Sequence, residues 1–119
     1  DLGEAERLGG GPYEQARALY TVALGDSAPA RAQLERQRAR PDTALDALVW
    51  VARLSRGLGL RAEALEALGR LPRGQRYLST RGFTGTVWGL LHEPIFAPLR
   101  NEPRFIRLME ETRPRVPWR

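Results

Sequence analysis

The stretch 44–54 constrains this chain more than any other. It reads Ala44, Leu45, Asp46, Ala47, Leu48, Val49, Trp50, Val51, Ala52, Arg53, Leu54, with Asp46 and Arg53 as its only charged residues. A helix that is apolar nearly all round has to be covered on every side, so it must be the central element of whatever fold forms. The rest of the chain has to supply the cover. At 119 residues there is enough of it, since a domain of this size buries roughly two-thirds of its unfolded surface. Hydrophobic residues make up 42%, ordinary for a folded domain, and no apolar run nears the length of a membrane-spanning helix.

Glycine and proline divide the remainder into short helical segments. Gly9-Gly10-Gly11-Pro12 punctuates the start, and Pro12 suits the first turn of a helix over residues 12–24. Tyr13, Ala16, Leu19, Tyr20 and Ala23 fall at helical spacing and are expected to form its buried stripe. Gly25 is a natural stop. Asp26 or Ser27 can cap the next helix, which tolerates Pro29 in its first turn and runs to about residue 40. Leu34 is its only large hydrophobe, so it is expected on the outside of the fold, with Arg31 and Glu35 one turn apart and able to pair. Pro41 ends that helix, and Asp42 or Thr43 caps the central one.

Gly57-Leu58-Gly59 predicts a tight turn into an amphipathic helix over 61–71. Ala64, Leu65, Leu68 and Leu71 face inward there, while Glu63, Glu66 and Arg70 face out. Pro72 and Gly74 end it. Residues 75–81 are ambiguous, a short helix carrying Tyr77 and Leu78 being one reading. Gly82 and Gly85 flank a bend, and 86–92 reads as a short helix with Val87, Trp88, Leu90 and Leu91. No segment sustains period-two alternation, so the chain reads as all-α.

Near the C-terminal end one pattern occurs twice. Glu93-Pro94-Ile95-Phe96 is followed by Glu102-Pro103-Arg104-Phe105. Each copy pairs a lead-in residue with a proline that pre-sets a first helical turn, then an aromatic able to fold back onto a core. The second copy opens a last helix over 101–112 that buries Phe105, Leu108 and Met109. Pro114 and Pro117 leave an extended tail carrying Trp118.

Two parts of the chain resemble known repeat proteins. Leu48, Ala52, Gly59, Ala64 and Leu68 sit at the spacing of a tetratricopeptide repeat, which packs two antiparallel helices with a small residue at the turn and an alanine where they touch. A larger side chain at Ala64 would push the second helix off the first. Ser55 stands where the family has an aromatic, and Leu71 where it has a small residue. Gly11, Ala16, Tyr20 and Ala23 look like the closing helix of an earlier, irregularly spaced repeat, with residues 2–8 as its partner. The run from Phe96 to Phe105 is similar to the end of helical-repeat domains attached to bacterial regulators, cyclases and kinases. The resemblance implies antiparallel helix pairs in a short TPR-like right-handed solenoid with a C-terminal capping helix. The expected organisation is a single domain over 1–119. Residues 1–11 form a partial helix and Gly-rich turn, 12–71 the helix pairs, 72–112 the cap and 113–119 the tail.

The residue chemistry points away from catalysis. There is no Cys, which excludes disulfides, thiolate metal sites and a cysteine nucleophile. His92 is the only histidine, so no histidine-based metal set can form, and no metal or cofactor is expected. Ser27, Ser55 and Ser79 lack a nucleophile-elbow context, and the Gly9–Gly11 run lacks the Lys and Ser/Thr of a phosphate loop. No catalytic residue is assigned.

Two surfaces remain as binding candidates. All 19 basic residues are Arg, giving a net charge of +5; GC-rich codon usage accounts for this, and guanidinium forks suited to carboxylates and phosphates are the other reading. Asp46, Val49, Trp50, Arg53 and Arg56 share one face of the central helix. In the resembled family the first helix of each pair lines a concave groove that binds peptide segments. There Arg53 and Arg56 would grip a carboxylate and Trp50 would anchor an apolar group. Against this, Trp50 is core and the arginines pair with Asp42 and Asp46. The second candidate is Arg31, Arg36, Arg38 and Arg40, a basic helix suited to a nucleic-acid backbone but interrupted by Glu35 and lacking aromatics for base stacking. The expected function is a non-catalytic protein–protein interaction scaffold, the C-terminal part of a larger cytoplasmic regulatory protein. Its partner is a protein or peptide segment, another domain of the parent chain or a second copy, with nucleic acid as the alternative and no membrane association.

Overall fold

A computed structural model describes residues 12–40, 44–73, 77–80 and 83–114, with the backbone alone at 12 and 13. The expected elements at 2–11, the break at 41–43 and the terminal Trp118 lie outside the described residues. The elements are α1 (Pro12–Ala23), α2 (Ala28–Arg38), α3 (Leu45–Gly57), α4 (Arg61–Gly69), β1 (Tyr77–Ser79), β2 (Thr84–Thr86), α5 (Val87–Leu91), a 3-10 segment (Pro94–Leu99) and α6 (Pro103–Thr112).

The first two glycine stops use the same chemistry. Gly25 has φ +96° and Gly59 φ +80°, the left-handed region that favours glycine. At α1 the Asp26 N–H donates to Thr21 O (2.9 Å) and the Gly25 N–H to Val22 O (2.9 Å). At α3 the Leu60 N–H donates to Ser55 O (2.7 Å) and the Gly59 N–H to Arg56 O (3.1 Å). Both are Schellman closures, which satisfy carbonyls a helix end would otherwise leave unpaired. At the start of α2 the Asp26 carboxylate accepts the Ala28 N–H (3.1 Å), while Ser27 makes no capping bond through its side chain.

Helix α3 is central, and two apolar clusters meet on it. Leu48, Val49 and Ala52 join α4, Leu78, α5, the 3-10 segment and α6 in the larger cluster. Trp50 and Leu54 join Ala18 of α1 and Ala30 and Leu34 of α2 in the smaller one. Val51 touches both. On α4 the inward set is the expected one, with Ala64, Leu65, Leu68 and Leu71 all buried. Ala52 and Ala64 are fully buried where α3 meets α4, and small side chains there permit close approach.

Three expectations are corrected. The stripe expected on α1 is not the buried one: Ala16, Tyr20 and Ala23 are exposed, and the helix instead buries Gln15 and Ala18 and partly buries Leu19 and Val22. The two faces lie roughly a third of a turn apart. Leu19 belongs to both sets, and it fills the space a Cβ would need at Gly57, which turns that face toward α3. Helix α2 is not an outer element. It packs between α1 and α3, burying Ala30, Gln33, Leu34 and Gln37. Its few apolar groups sit on one face, supplemented by the aliphatic stems of two glutamines. Arg38, not Arg31, pairs with Glu35 (3.5 Å), and Arg31 instead donates from Nε to Ser27 Oγ (3.5 Å).

The all-α expectation fits the bulk of the structure but misses a small antiparallel hairpin. Tyr77 pairs with Thr86, Leu78 with Gly85 and Ser79 with Thr84. Thr80 closes it, its N–H donating to Phe83 O (2.8 Å) and its Oγ1 accepting the Phe83 N–H (3.0 Å). Each strand has three residues with only Leu78 buried on β1, so there was no alternation long enough to read.

Both Glu-Pro copies start a helical element. Glu93 (ψ 141°) and Glu102 (ψ 131°) are extended, and the proline after each occupies the first turn. Phe96 and Phe105 are buried at 0% and 1% exposure, so both aromatics do turn inward. The first copy stays 3-10 because Pro98 lies inside it, with no N–H to give and a steric bias against α geometry just before it. The second meets no proline until Pro114 and runs as a full α-helix.

Replacing Ala64 by Leu should destabilise the fold by about 1–3 kcal/mol through overpacking of the α3–α4 contact. The same change at exposed Ala62 should stay within about 0.5 kcal/mol. Urea unfolding of the two variants checks the contrast.

Candidate functional site

The α3 face singled out above is organised around an ion pair. Arg53 donates from Nε to Glu93 Oε1 (2.9 Å) and from Nη2 to Glu93 Oε2 (2.6 Å), a two-pronged fork on one carboxylate. Its guanidinium carbon also lies 4.5 Å from the centroid of the Trp50 ring. One turn on, Arg56 donates from Nε to the carbonyl of Ile95 (3.0 Å). Arg53 and Arg56 therefore converge on the chain's own segment Glu93-Pro94-Ile95, while Trp50 lies under Arg53 and packs toward α1 and α2. The carboxylate and the carbonyl they hold come from the start of the 3-10 segment of the same chain.

Relative magnitudes identify the stronger contact. Each of the two hydrogen bonds to a charged group contributes about 1.5–3 kcal/mol, and a desolvated cation–π contact about 2 kcal/mol. The fork on Glu93 therefore outweighs the stacking on Trp50. Arg53 and Glu93 side chains are only 10% and 26% exposed, so solvent screens the pair less than a surface one. The Trp50 Nε1 is buried and has no hydrogen-bond partner among the described residues, so packing and the overlying guanidinium position the ring.

The other two residues of that face do different things. Val49 is fully buried in the larger core. Asp46 accepts a second fork, from Arg40 Nη1 to Oδ2 (2.7 Å) and Nη2 to Oδ1 (3.1 Å). The pairing of Arg53 with Asp46 weighed from the sequence is thus replaced by Arg53–Glu93 and Arg40–Asp46, and Asp42 lies outside the described residues. Arg53 and Glu93 are 40 positions apart, and helical spacing reports only on neighbours within a turn.

Helix α2 presents Arg31, Arg36 and Arg38 to solvent, with Arg40 just beyond its end. Three of these four already face carboxylates: Arg36 with Glu14 (4.0 Å), Arg38 with Glu35 (3.5 Å) and Arg40 with Asp46 (2.7 Å). The cleft beside them carries no signature in residue order. It has a volume of about 110 Å³ and lies between α2, α3 and α4, with Ala47, Leu48, Val51 and Ala67 below and Arg40, Glu63 and Arg70 at the rim.

His92 is exposed, and its Nδ1 hydrogen-bonds the Trp88 carbonyl at 2.7 Å, an arrangement that places the proton on Nδ1. Its ring lies 4.5 Å from that of Trp88. Among the described residues no three His, Asp or Glu side chains gather as a metal site would require, and no helix is long and apolar enough to cross a membrane. No protein-family model matches the chain, and no curated protein or solved structure matches it.

Truncating Arg53 to Ala strands a partly buried carboxylate and should cost about 2–3 kcal/mol. A double-mutant cycle with Glu93→Ala should return a coupling energy above about 1 kcal/mol. The equivalent cycle on the exposed pair Glu66–Arg70 (3.8 Å) should return about 0.5 kcal/mol or less.

Proposed function

We propose that the chain is a non-catalytic protein–protein interaction scaffold. In this reading it is a TPR-like right-handed helical stack, capped at its C-terminal end by the 3-10 segment and α6, and is the C-terminal part of a larger cytoplasmic regulatory protein. One observation carries the proposal. Helix α1 packs on α2 with one face yet leaves Tyr20, and Leu24 just past its end, at 66% and 69% exposure, with Ala16 and Ala23 also exposed. In a stack each helical unit is covered by its neighbours, and a helix that is apolar on its outer side is suited to receive a further one. The occupant is a protein surface, most simply another domain of the parent chain.

The Trp50–Arg53–Arg56 cluster has peptide-gripping chemistry, but Glu93–Ile95 holds it. Its part in this scaffold is to secure the terminal segment, and a peptide arriving from outside would have to displace that segment first. Nucleic-acid binding through α2 is less well supported, because most of its guanidiniums already have carboxylate partners.

Substituting Tyr20→Glu together with Leu24→Glu should leave the unfolding free energy within about 0.5 kcal/mol, because both side chains are already solvated. Association of the chain with the remaining domains of its parent, or with itself, should weaken at least tenfold in sedimentation equilibrium. Unchanged association would refute the α1 surface. A steep loss of nucleic-acid affinity with salt, abolished by reversing the charges of Arg31, Arg36, Arg38 and Arg40, would favour the alternative.

A further inference from the structure

The face of α6 turned toward α4 carries an unusual charge arrangement. Arg104, Arg107, Leu108 and Glu111 recur at helical spacing on that face. With Leu65, Gly69 and Arg73 they line a cleft of about 70 Å³. Arg73 donates from Nη2 to the Gly69 carbonyl (3.2 Å) and pairs through Nε with Glu111 (2.8 Å). Among the described residues, Arg104 and Arg107 make no ion pair or hydrogen bond.

Like charges are drawn together here. The Nη2 atoms of Arg104 and Arg73 lie 3.7 and 3.9 Å from the position a Cβ would occupy at Gly69. Two guanidiniums thus crowd one point on the backbone, and glycine leaves the space between them open. A third arginine, Arg107, borders the same cleft, and among the described residues that line it Glu111 is the one carboxylate. Three positive groups against one negative group leave an excess of two. A water needs about 10–15 Å³ of such space, so the cleft admits a group of several heavy atoms.

We propose that this cleft binds the dianionic form of a phosphate group, free or on a small phosphomonoester. Such a group carries a charge of about −1.5 to −2 at neutral pH and offers three acceptor oxygens. That matches the excess charge, and guanidinium forks suit tetrahedral oxyanions better than ammonium groups do. Arg104 and Arg107 supply the donors left over, and Arg73 adds a third after sharing its charge with Glu111. The site is separate from the α1 surface and does not depend on the scaffold function.

Calorimetric titration of the chain with inorganic phosphate at constant ionic strength tests this. Saturable binding is expected. It should weaken at least tenfold in Arg104→Gln with Arg107→Gln. It should remain within twofold in Arg17→Gln with Arg31→Gln, which removes the same charge elsewhere. Glu111→Gln should tighten it by relieving competition for Arg73. Affinity should fall as pH drops through the second pKa of the anion, about 7 for inorganic phosphate and about 6 for a monoester such as AMP. A parallel titration with AMP distinguishes the source: tighter binding than phosphate identifies a nucleotide or similar monoester, and equal binding identifies the free anion. The proposal is overturned if phosphate binds no better than chloride, if acetate binds as tightly, or if both double variants lose binding equally. Circular dichroism confirms that each variant is folded, so loss of binding can be assigned to the cleft.

Discussion

Everything in this structure follows from the need to cover α3. A helix with so few polar residues cannot leave any face to water, and the described elements are arranged around it in response. Helices α1 and α2 bury Trp50 and Leu54, while α4 buries Leu48 and Ala52. The remaining face, which carries Arg53 and Arg56, is covered by the start of the 3-10 segment. Apolar burial supplies most of the stabilisation, at about 1.5–3 kcal/mol per large side chain. The ion pair adds less energy but fixes position, since a two-pronged fork fits in one orientation only.

The repeated Glu-Pro pattern shows how one local device serves tertiary structure twice. In each copy the phenylalanine enters the core, and the glutamate reaches back to an arginine of the α3–α4 pair. Glu93 meets Arg53 on α3, and Glu102 meets Arg61 at the start of α4 (2.9 Å). The two contacts differ in strength for a physical reason. Arg53 is 10% exposed and Arg61 is 63% exposed, so water screens the second pair far more than the first. Pro98 adds a further difference by keeping the first copy a tight 3-10 turn, short enough to lie across α3.

The all-arginine basic content has a visible structural use, whatever its origin in codon preference. Forks on Asp46 and Glu93 tie α3 to the segments around it, and Arg56 caps a backbone carbonyl of the 3-10 segment. A lysine ammonium could not hold both oxygens of a carboxylate in one plane. Arg104 and Arg107 differ in bordering one cleft together, with no ion pair of their own among the described residues.

Local features of the chain were legible from residue order alone. The stops at Gly25 and Gly59, the starts at Pro94 and Pro103, the inward set of α4 and the central place of α3 all depend on propensity and spacing within a turn or two, which sequence carries directly. Helical periodicity also carries the neighbourhood of Trp50, Arg53 and Arg56 along α3. What meets them was not legible. The carboxylate on Arg53 comes from 40 positions away. The buried side of α1 was set by Ala18, Leu19 and Val22 packing with residues of α2 and α3, and the hairpin rests on pairing between strands too short to show a period. Such choices belong to tertiary structure because their energy comes from contacts between distant segments, on which local spacing is silent.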